Sequence, residues 1–138
     1  MNQREAKAVN KFIKETEGYF KLFKIENKIP GPMPDVVGEN RKGHAFWLEA
    51  KQLEKWPARE TTFPLKGAFQ RGQQGWSRSW NSWGGNAFCL LKVGDGRVSE
   101  FYLIDFMRGD LETKTRSELM EVVLAEGINN IISYLENV

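Results

Sequence analysis

Apolar side chains in the first third of the chain recur at helical spacing and then at strand spacing. Residues 3–18 place them on one helical face, at Ala8, Val9, Phe12 and Ile13, which predicts an amphipathic helix. Alternating apolar and polar positions then predict strands over 19–25, 35–38 and 44–51. Pro and Gly punctuate the connection over 26–34, and residues 39–43 read as a turn. We expect these three strands to form a meander.

The second part of the chain predicts another helix, two more strands and a closing helix. Residues 52–68 are irregular and basic, and a helix over 69–83 should end at Gly84-Gly85. An apolar strand over 86–93 is expected to be central, and a turn at 94–97 leads to a strand over 100–106. A final helix is predicted over 117–135, with Gly127 as a candidate interruption, by a helical stripe over Leu119, Val122, Val123, Glu126, Asn130 and Tyr134. The order α-β-β-β-α-β-β-α predicts one α/β domain over residues 1–138.

Two charged residues interrupt the apolar third strand, which has the sequence HAFWLEAK. Alternation puts Glu49 and Lys51 on one face with Trp47, while the opposite face carries Phe46, Leu48 and Ala50. Charge inside such a run is costly to bury unless it is paired or binds metal. Asp35 follows a Pro-rich turn fourteen positions before Glu49. Two carboxylates and a lysine are suited to a divalent cation and a phosphate.

These residues lead to a metal-site hypothesis. Mg²⁺ prefers oxygen ligands and usually takes one or two protein carboxylates, so Asp35 and Glu49 are candidate ligands with the backbone carbonyl of Ala50. Lys51 would lie near the scissile phosphate, where it orients or helps deprotonate water and offsets charge. A lone Glu-x-Lys is usually a surface ion pair, but the strand context and the preceding Pro-Asp favour the metal site. One histidine and one cysteine exclude the usual zinc sites.

The net charge of +2 hides an uneven distribution. Residues 1–28 have seven Lys or Arg against four acidic residues, 51–78 have six against two, and 95–138 have four against nine. Basic segments around a carboxylate site suit a polyanionic substrate, although ordinary solvated charge gives the same count. The candidate phosphate contacts are Lys55, Arg59, Lys66, Arg71 and Arg78. No apolar stretch has the length of a membrane span or signal peptide, which predicts a cytoplasmic protein.

GPMPDVVG and HAFWLEAK together resemble the PD-(D/E)XK nuclease superfamily, with Asp35, Glu49 and Lys51 in its signature positions. The resemblance implies a restriction-endonuclease-like α/β core with a mixed central sheet in αβββαβ order, extended here by a strand and a C-terminal helix. It implies an Mg²⁺-dependent endonuclease, with Mn²⁺ able to substitute, that hydrolyses DNA phosphodiester bonds. Size and the first helix are most similar to phage-encoded endonucleases and Holliday-junction resolvases, which implies branched DNA, recombination and a homodimer.

Other readings of the same residues stay open. A nicking, flap or repair-type nuclease would share this fold and motif. A non-catalytic nucleic-acid-binding module would retain the fold, although the intact signature residues argue against it. A protein-interaction domain would explain the five tryptophans and the acidic last third of the chain.

The resemblance implies two further site residues. Resolvases of this kind carry a glutamate on the first helix, and Glu5 is the best match because it shares the face of Val9 and Phe12. Stabilisation of the helix dipole is the alternative role for Glu5, and Glu15 and Glu17 are weaker matches. Related phage nucleases have a Gln-x-x-Trp pattern on the second helix, which makes Gln73 a candidate to hold water or phosphate. Gln70 and Gln74 are its alternatives, and Gly75 is unusual inside a helix.

The tryptophans have two possible uses. Trp76, Trp80 and Trp83 should share one helical face, where core packing or a subunit interface is favoured and stacking on unpaired bases is the alternative. Trp56, in the basic segment KQLEKWPAR, is the better candidate for contact with a substrate or partner. Cys89 is expected to be a small core residue.

Overall fold

The computed structural model describes residues 1–25, 31–95 and 99–138. Residues 26–30 of the predicted connection, residues 96–97 of the predicted turn and residue 98 lie outside them. The helices are α1 (Gln3–Glu15), α2 (Gln73–Ser82), α3 (Arg116–Glu121) and α4 (Ile128–Glu136), with a short 3-10 turn at Leu111–Thr113. The strands are β1 (Lys21–Lys24), β2 (Val36–Glu39), β3 (Ala45–Leu53), β4 (Ala87–Val93), β5 (Glu100–Asp105) and β6 (Val123–Glu126). The first five strands agree with the sequence prediction to within two residues at each end.

The six strands form one mixed sheet in which spatial order follows chain order. β1, β2 and β3 pair antiparallel, as the predicted meander requires. β3 and β4 pair parallel, and α2 lies in the crossover between them. β5 and β6 continue the sheet antiparallel. β4 has a neighbour on each side and is buried throughout, so the prediction of a central strand is confirmed.

Each face of the sheet is covered by a separate apolar cluster. Phe46, Leu48 and Ala50 contribute to a cluster with α1 and α4, to which Phe12 and Leu135 belong. The opposite cluster is built on β4 and β5 and is closed by the irregular segment and α3. This second face is the one to which alternation assigns the charged residues of β3, at the border of that cluster.

The predicted final helix over 117–135 is wrong. A capping box on Thr115 starts α3, but the helix ends after Glu121, and the next residues form β6. β6 pairs with β5 and satisfies backbone groups that an open edge would leave without partners. Gly127 follows with φ +85°, a conformation that favours glycine, and α4 begins after it. The helical stripe therefore spans two short helices and a strand.

The second helix is shorter than the sequence predicts. It begins at Gln73 rather than at residue 69, because Gly72 adopts a left-handed conformation with φ +87° and ends the preceding turn. Gly75 lies inside the helix with open space around its Cα. Within the described ranges, no helix is both long enough and apolar enough to cross a membrane.

Candidate active site

Asp35 and Ala50 meet at the point where backbone pairing between β2 and β3 stops. The last backbone pair joins Val36 to Leu48. Two residues further along β3, the backbone N–H of Ala50 donates to Asp35 Oδ2 over 2.9 Å. The N–H and C=O of one strand residue leave the chain on the same side, so the Ala50 carbonyl is on the side of Asp35. A side chain thus replaces a backbone partner here and fixes the aspartate beside β3.

Lys51 is the centre of a buried polar cluster. Its side chain is 5% exposed, and Nζ lies 3.3 Å from Glu5 Oε1, 3.4 Å from Glu49 Oε1 and 3.2 Å from Gln73 Oε1. The ammonium also lies over the ring of Phe69, 4.9 Å from its centroid. The cluster joins α1, β3 and α2: Glu5 and Gln73, which are distant from Lys51 in sequence, meet it beside Glu49 on the same strand.

Glu49 lies in an electrostatically unfavourable environment. The residue is 1% exposed, and burial, together with the negative charge of Asp35, raises the pKa of its carboxyl to about 9. The attraction of Lys51 works in the opposite direction and is the smaller effect. Glu49 Oε1 is buried and has no hydrogen-bond partner among the described residues. The Lys51 ammonium, 3.4 Å from this oxygen, is a cation that faces the buried carboxyl, but its attraction offsets only part of the cost of burial.

Lys51 keeps its proton. Burial alone would lower the pKa of the ammonium, but the carboxylates of Glu49 and Glu5 outweigh that effect and raise the pKa above its ordinary value. A lysine held in this way is a fixed positive charge rather than a base. The contact with Phe69 was not predicted from the sequence, because Phe69 precedes α2 in an irregular segment.

Glu5 bonds both to the start of its own helix and to Lys51. Asn2 is the N-cap of α1: its side chain accepts from the Glu5 N–H over 2.8 Å, and its own N–H donates to Glu5 Oε2 over 3.1 Å. This reciprocal pair is a capping box. The other oxygen, Oε1, faces Lys51. Asn2 was not among the predicted residues, although Asn-x-x-Glu before an apolar run is the pattern that identifies such a cap.

The three candidate glutamines separate clearly. Gln73 Oε1 accepts from Lys51 Nζ and from the backbone N–H of Gln70 over 2.9 Å. The side chain of Gln70 is exposed. Gln74 turns away and bonds to the segment after β5. Gln73 is therefore the glutamine that reaches the cluster.

A cavity of about 280 Å³ opens beside the cluster. Its lining includes Glu5, Asp35, Lys51 and Gln73. No three His, Cys, Asp or Glu side chains gather as a ready metal site in the described part of the chain. A metal here would use two carboxylates, a backbone carbonyl and ligands from water or substrate, a donor set that suits Mg²⁺.

The candidate phosphate contacts divide into two groups. Lys55, Arg59, Lys66 and Arg71 are exposed. Arg78 is half-buried: Nε donates to the carbonyl of Phe106, and Nη2 donates to the carbonyl of Gly109 and to Gln74. These internal bonds give Arg78 a structural role that the sequence did not predict, and they argue against its use as a phosphate contact.

The tryptophans also lie in different environments. Trp76 and Trp80 stack in parallel with centroids 5.1 Å apart, and Trp47 contacts both rings. Trp83 does not join them and is 89% exposed. Trp56, the candidate for contact with a substrate or partner, is half-buried: its ring packs on Tyr102 and lies under the Arg116 guanidinium. Cys89 is buried, as predicted.

Comparisons with known proteins concern the fold. Neither the protein-family models nor the curated proteins contain a match. Among solved structures, the chain is similar to Hjc from Archaeoglobus fulgidus, a Holliday junction resolvase from an archaeal hyperthermophile. The TM-score is 0.56 at 14% identity, and the match covers 94% of this chain and 98% of the other. The chain has a mixed α/β, restriction-endonuclease-like fold, and this resolvase is archaeal rather than phage-encoded.

Proposed function

We propose that this protein is a metal-dependent endonuclease that hydrolyses phosphodiester bonds in DNA. The observation that carries this proposal is the convergence of Glu5, Glu49 and Gln73 on Lys51, with Asp35 beside Glu49 at the rim of one cavity. Burying two carboxyl groups around one lysine, with a third beside them, costs free energy unless the site has a further use.

Asp35, Glu49 and the carbonyl of Ala50 are the proposed ligands of Mg²⁺, with Mn²⁺ as a substitute. Asp35 lies close enough to Glu49 for its negative charge to raise the pKa of the Glu49 carboxyl, and two carboxyl groups at this separation support a site suited to a cation. When bound, a divalent cation would lower the pKa of the attacking water and polarise the phosphoryl oxygen. Asp35 is already oriented by the Ala50 N–H, so binding would require little rearrangement of this side chain.

Lys51 acts in this proposal as an ammonium group that binds the scissile phosphate and offsets its developing charge. Glu5 holds the lysine from α1, and Gln73 holds it from α2. Because the Gln73 carbonyl oxygen is occupied by two donors, its amide Nε2 is the atom that faces a phosphate or an attacking water. Together with Glu49, these two residues hold the lysine in a more defined position than a flexible side chain has by itself.

Branched DNA is the proposed substrate, and a homodimer with one active site for each of two strands is the proposed assembly. Support comes from the similarity to a Holliday junction resolvase over nearly the whole of both chains. Two exposed basic residues, Lys66 and Arg71, flank in sequence residues that line the cavity, and their charge suits a polyanion. A nicking, flap or repair nuclease is the alternative within the same chemistry.

The test is cleavage of labelled four-way, flap, nicked and linear DNAs with and without Mg²⁺ or Mn²⁺. We expect metal-dependent cuts placed symmetrically in the four-way junction. Asp35→Asn and Glu49→Gln should each reduce the rate by at least about a hundredfold. Glu39→Gln, an exposed glutamate at the other end of β2, is the matched control and should cut normally.

The outcomes separate the alternatives. Cutting of linear duplex at the same rate would reject the resolvase specificity but keep the nuclease. Tight, salt-sensitive DNA binding without any cutting would indicate a non-catalytic binding module. Full activity in both carboxylate variants would exclude this metal site.

A further inference from the structure

Helix α2, which carries Gln73 into the site, has a buried side made of polar residues. Its buried residues are Gln73, Gln74 and Ser77. Its N-cap, Gly72, offers no side-chain cap, although such caps commonly fix the start of a helix. Trp76 and Trp80 pack against Trp47, while the neighbouring side of the helix depends on hydrogen bonds.

Gln74 makes most of these hydrogen bonds. Its Nε2 donates to Asp110 Oδ1 over 2.8 Å and to Glu112 Oε2 over 3.4 Å. Its Oε1 accepts from the backbone N–H of Leu111 over 2.9 Å and from Arg78 Nη2 over 3.1 Å. Both ends of this buried amide are thus satisfied by the segment after β5 and by the next turn of α2.

Arg78 extends the same attachment by one helical turn. Its Nε donates to the Phe106 carbonyl over 3.0 Å, and its Nη2 donates to the Gly109 carbonyl over 3.1 Å. The Phe106 ring contacts Phe69, on whose face Lys51 rests. The segment after β5 therefore reaches Lys51 through Phe69 and also through α2.

We propose that Gln74, Arg78 and Asp110 form a clamp that sets the position of α2, and that Gln74 is a positioning residue for Gln73. Neighbouring helix residues point about 100° apart, so the bonds of Gln74 fix the rotation that aims Gln73 at Lys51. A rotation of α2 that broke the clamp would also move Gln73 Oε1 away from the ammonium. This inference rests on the proposed function and deepens it.

Gln74→Met tests the clamp, because methionine has nearly the same size and lacks all four hydrogen bonds. We expect kcat on the preferred DNA to fall roughly ten- to a hundredfold, since small misplacements in a site cost this much, while KM changes by less than about twofold. In a Gln73→Ala background the same change should have no further effect on kcat. Equal losses in both backgrounds would overturn the proposal.

A second readout does not depend on activity. The backbone N–H of Gln70 is bonded to Gln73 Oε1, so its amide resonance should shift in Gln74→Met. An unchanged Gln70 resonance would overturn the clamp even in a protein that cuts no DNA. If the wild-type protein cuts nothing while the resonance shifts, the proposed function fails and the clamp stands.

Rescue distinguishes positioning from general stability. Gln74→Glu places a carboxylate against Asp110 and should reduce kcat as Gln74→Met does. Adding Asp110→Asn supplies an amide donor, reverses this hydrogen bond and should recover kcat to within about threefold; no recovery would count against the clamp. If Gln74→Met does not fold, Gln74→Glu alone and in combination with Asp110→Asn test the clamp in its place. The control is Asn40→Ala, which removes a buried bond to the Leu135 carbonyl of α4 and a bond from the His44 N–H and should lower stability without changing kcat or the Gln70 resonance.

Discussion

Glu5 Oε1 lies 3.3 Å from Lys51 Nζ, which ties the first turn of α1 to the charged face of β3. The second oxygen of the same carboxylate completes the capping box with Asn2. One residue thus stabilises the start of a helix and holds the lysine of the site. Two substitutions separate these effects.

Glu5→Gln keeps a residue that completes a capping box but removes the charge that faces Lys51. We expect nearly unchanged stability and a loss of cleavage rate of at least about tenfold, because a neutral amide holds an ammonium less firmly. Asn2→Ala should give the reverse: a loss of about 1 kcal/mol of stability with the rate retained. Urea unfolding and single-turnover cleavage measure the two quantities. A Glu5→Gln protein that cuts at the wild-type rate would limit Glu5 to the cap.

Glu49 should make the metal-free protein less stable as the pH rises. Its pKa in the folded protein is about 9, against 4.5 for the ordinary carboxyl. The native state therefore binds more protons than the unfolded state between these values, and stability falls with pH across that window. Below pH 4.5 the Glu49 carboxyl is protonated in both the folded and the unfolded state, so stability no longer depends on its titration and its contribution is at its maximum.

Glu49→Gln should remove this dependence and stabilise the metal-free protein at pH 8. One pKa unit corresponds to about 1.4 kcal/mol, and we expect a gain of at least that size, measured by urea unfolding in EDTA at pH 5 and pH 8. Added Mg²⁺ should raise the melting temperature of the wild type more than that of the variant. A variant less stable than the wild type at pH 8 would show that the charged Glu49–Lys51 pair is favourable.

Replacing each of two glycines in the α2 region by alanine should change the stability of the protein in opposite directions. Gly75 is inside the helix, and a Cβ there meets nothing within 4 Å, so Gly75→Ala should add about 0.5–1 kcal/mol of stability. A Cβ on Gly85 would overlap the indole of Trp80. Gly85→Ala should therefore cost about 1–3 kcal/mol and change the tryptophan fluorescence. Equal effects of the two substitutions would contradict this account of the Trp80 packing.

The charged face of β3 was predictable because its determinants are local. Alternation within HAFWLEAK fixes which side chains share a face, and Pro34-Asp35 marks the start of the preceding strand. The sequence also identified Gln73 as a candidate, but only its position in the fold separates it from Gln70 and Gln74. The capping role of Asn2 was equally local and was overlooked.

The missed features depend on partners that are distant in sequence. Residues 123–126 form a strand because β5 offers them an edge, and no periodicity within the segment reveals that edge. Arg78 lies in a basic region, yet its donors are bound to carbonyls about thirty residues away. The charge of Arg78 and its position in a basic region indicate a phosphate contact, whereas its contacts with a remote segment give it a structural role.

The exposed basic residues should determine how DNA binding responds to salt. Lys66 and Arg71 flank residues that line the cavity, and each is exposed. If each contacts a phosphate, its change to Ala should reduce the slope of log K against log salt by about 0.9 and weaken binding to all sequences similarly. Lys42→Ala, on the exposed turn between β2 and β3, is the matched control and should leave the slope unchanged. Arg78→Met should instead cost about 1–3 kcal/mol of stability with no change in slope. A reduced slope for Lys42→Ala would place the DNA on another surface of the protein.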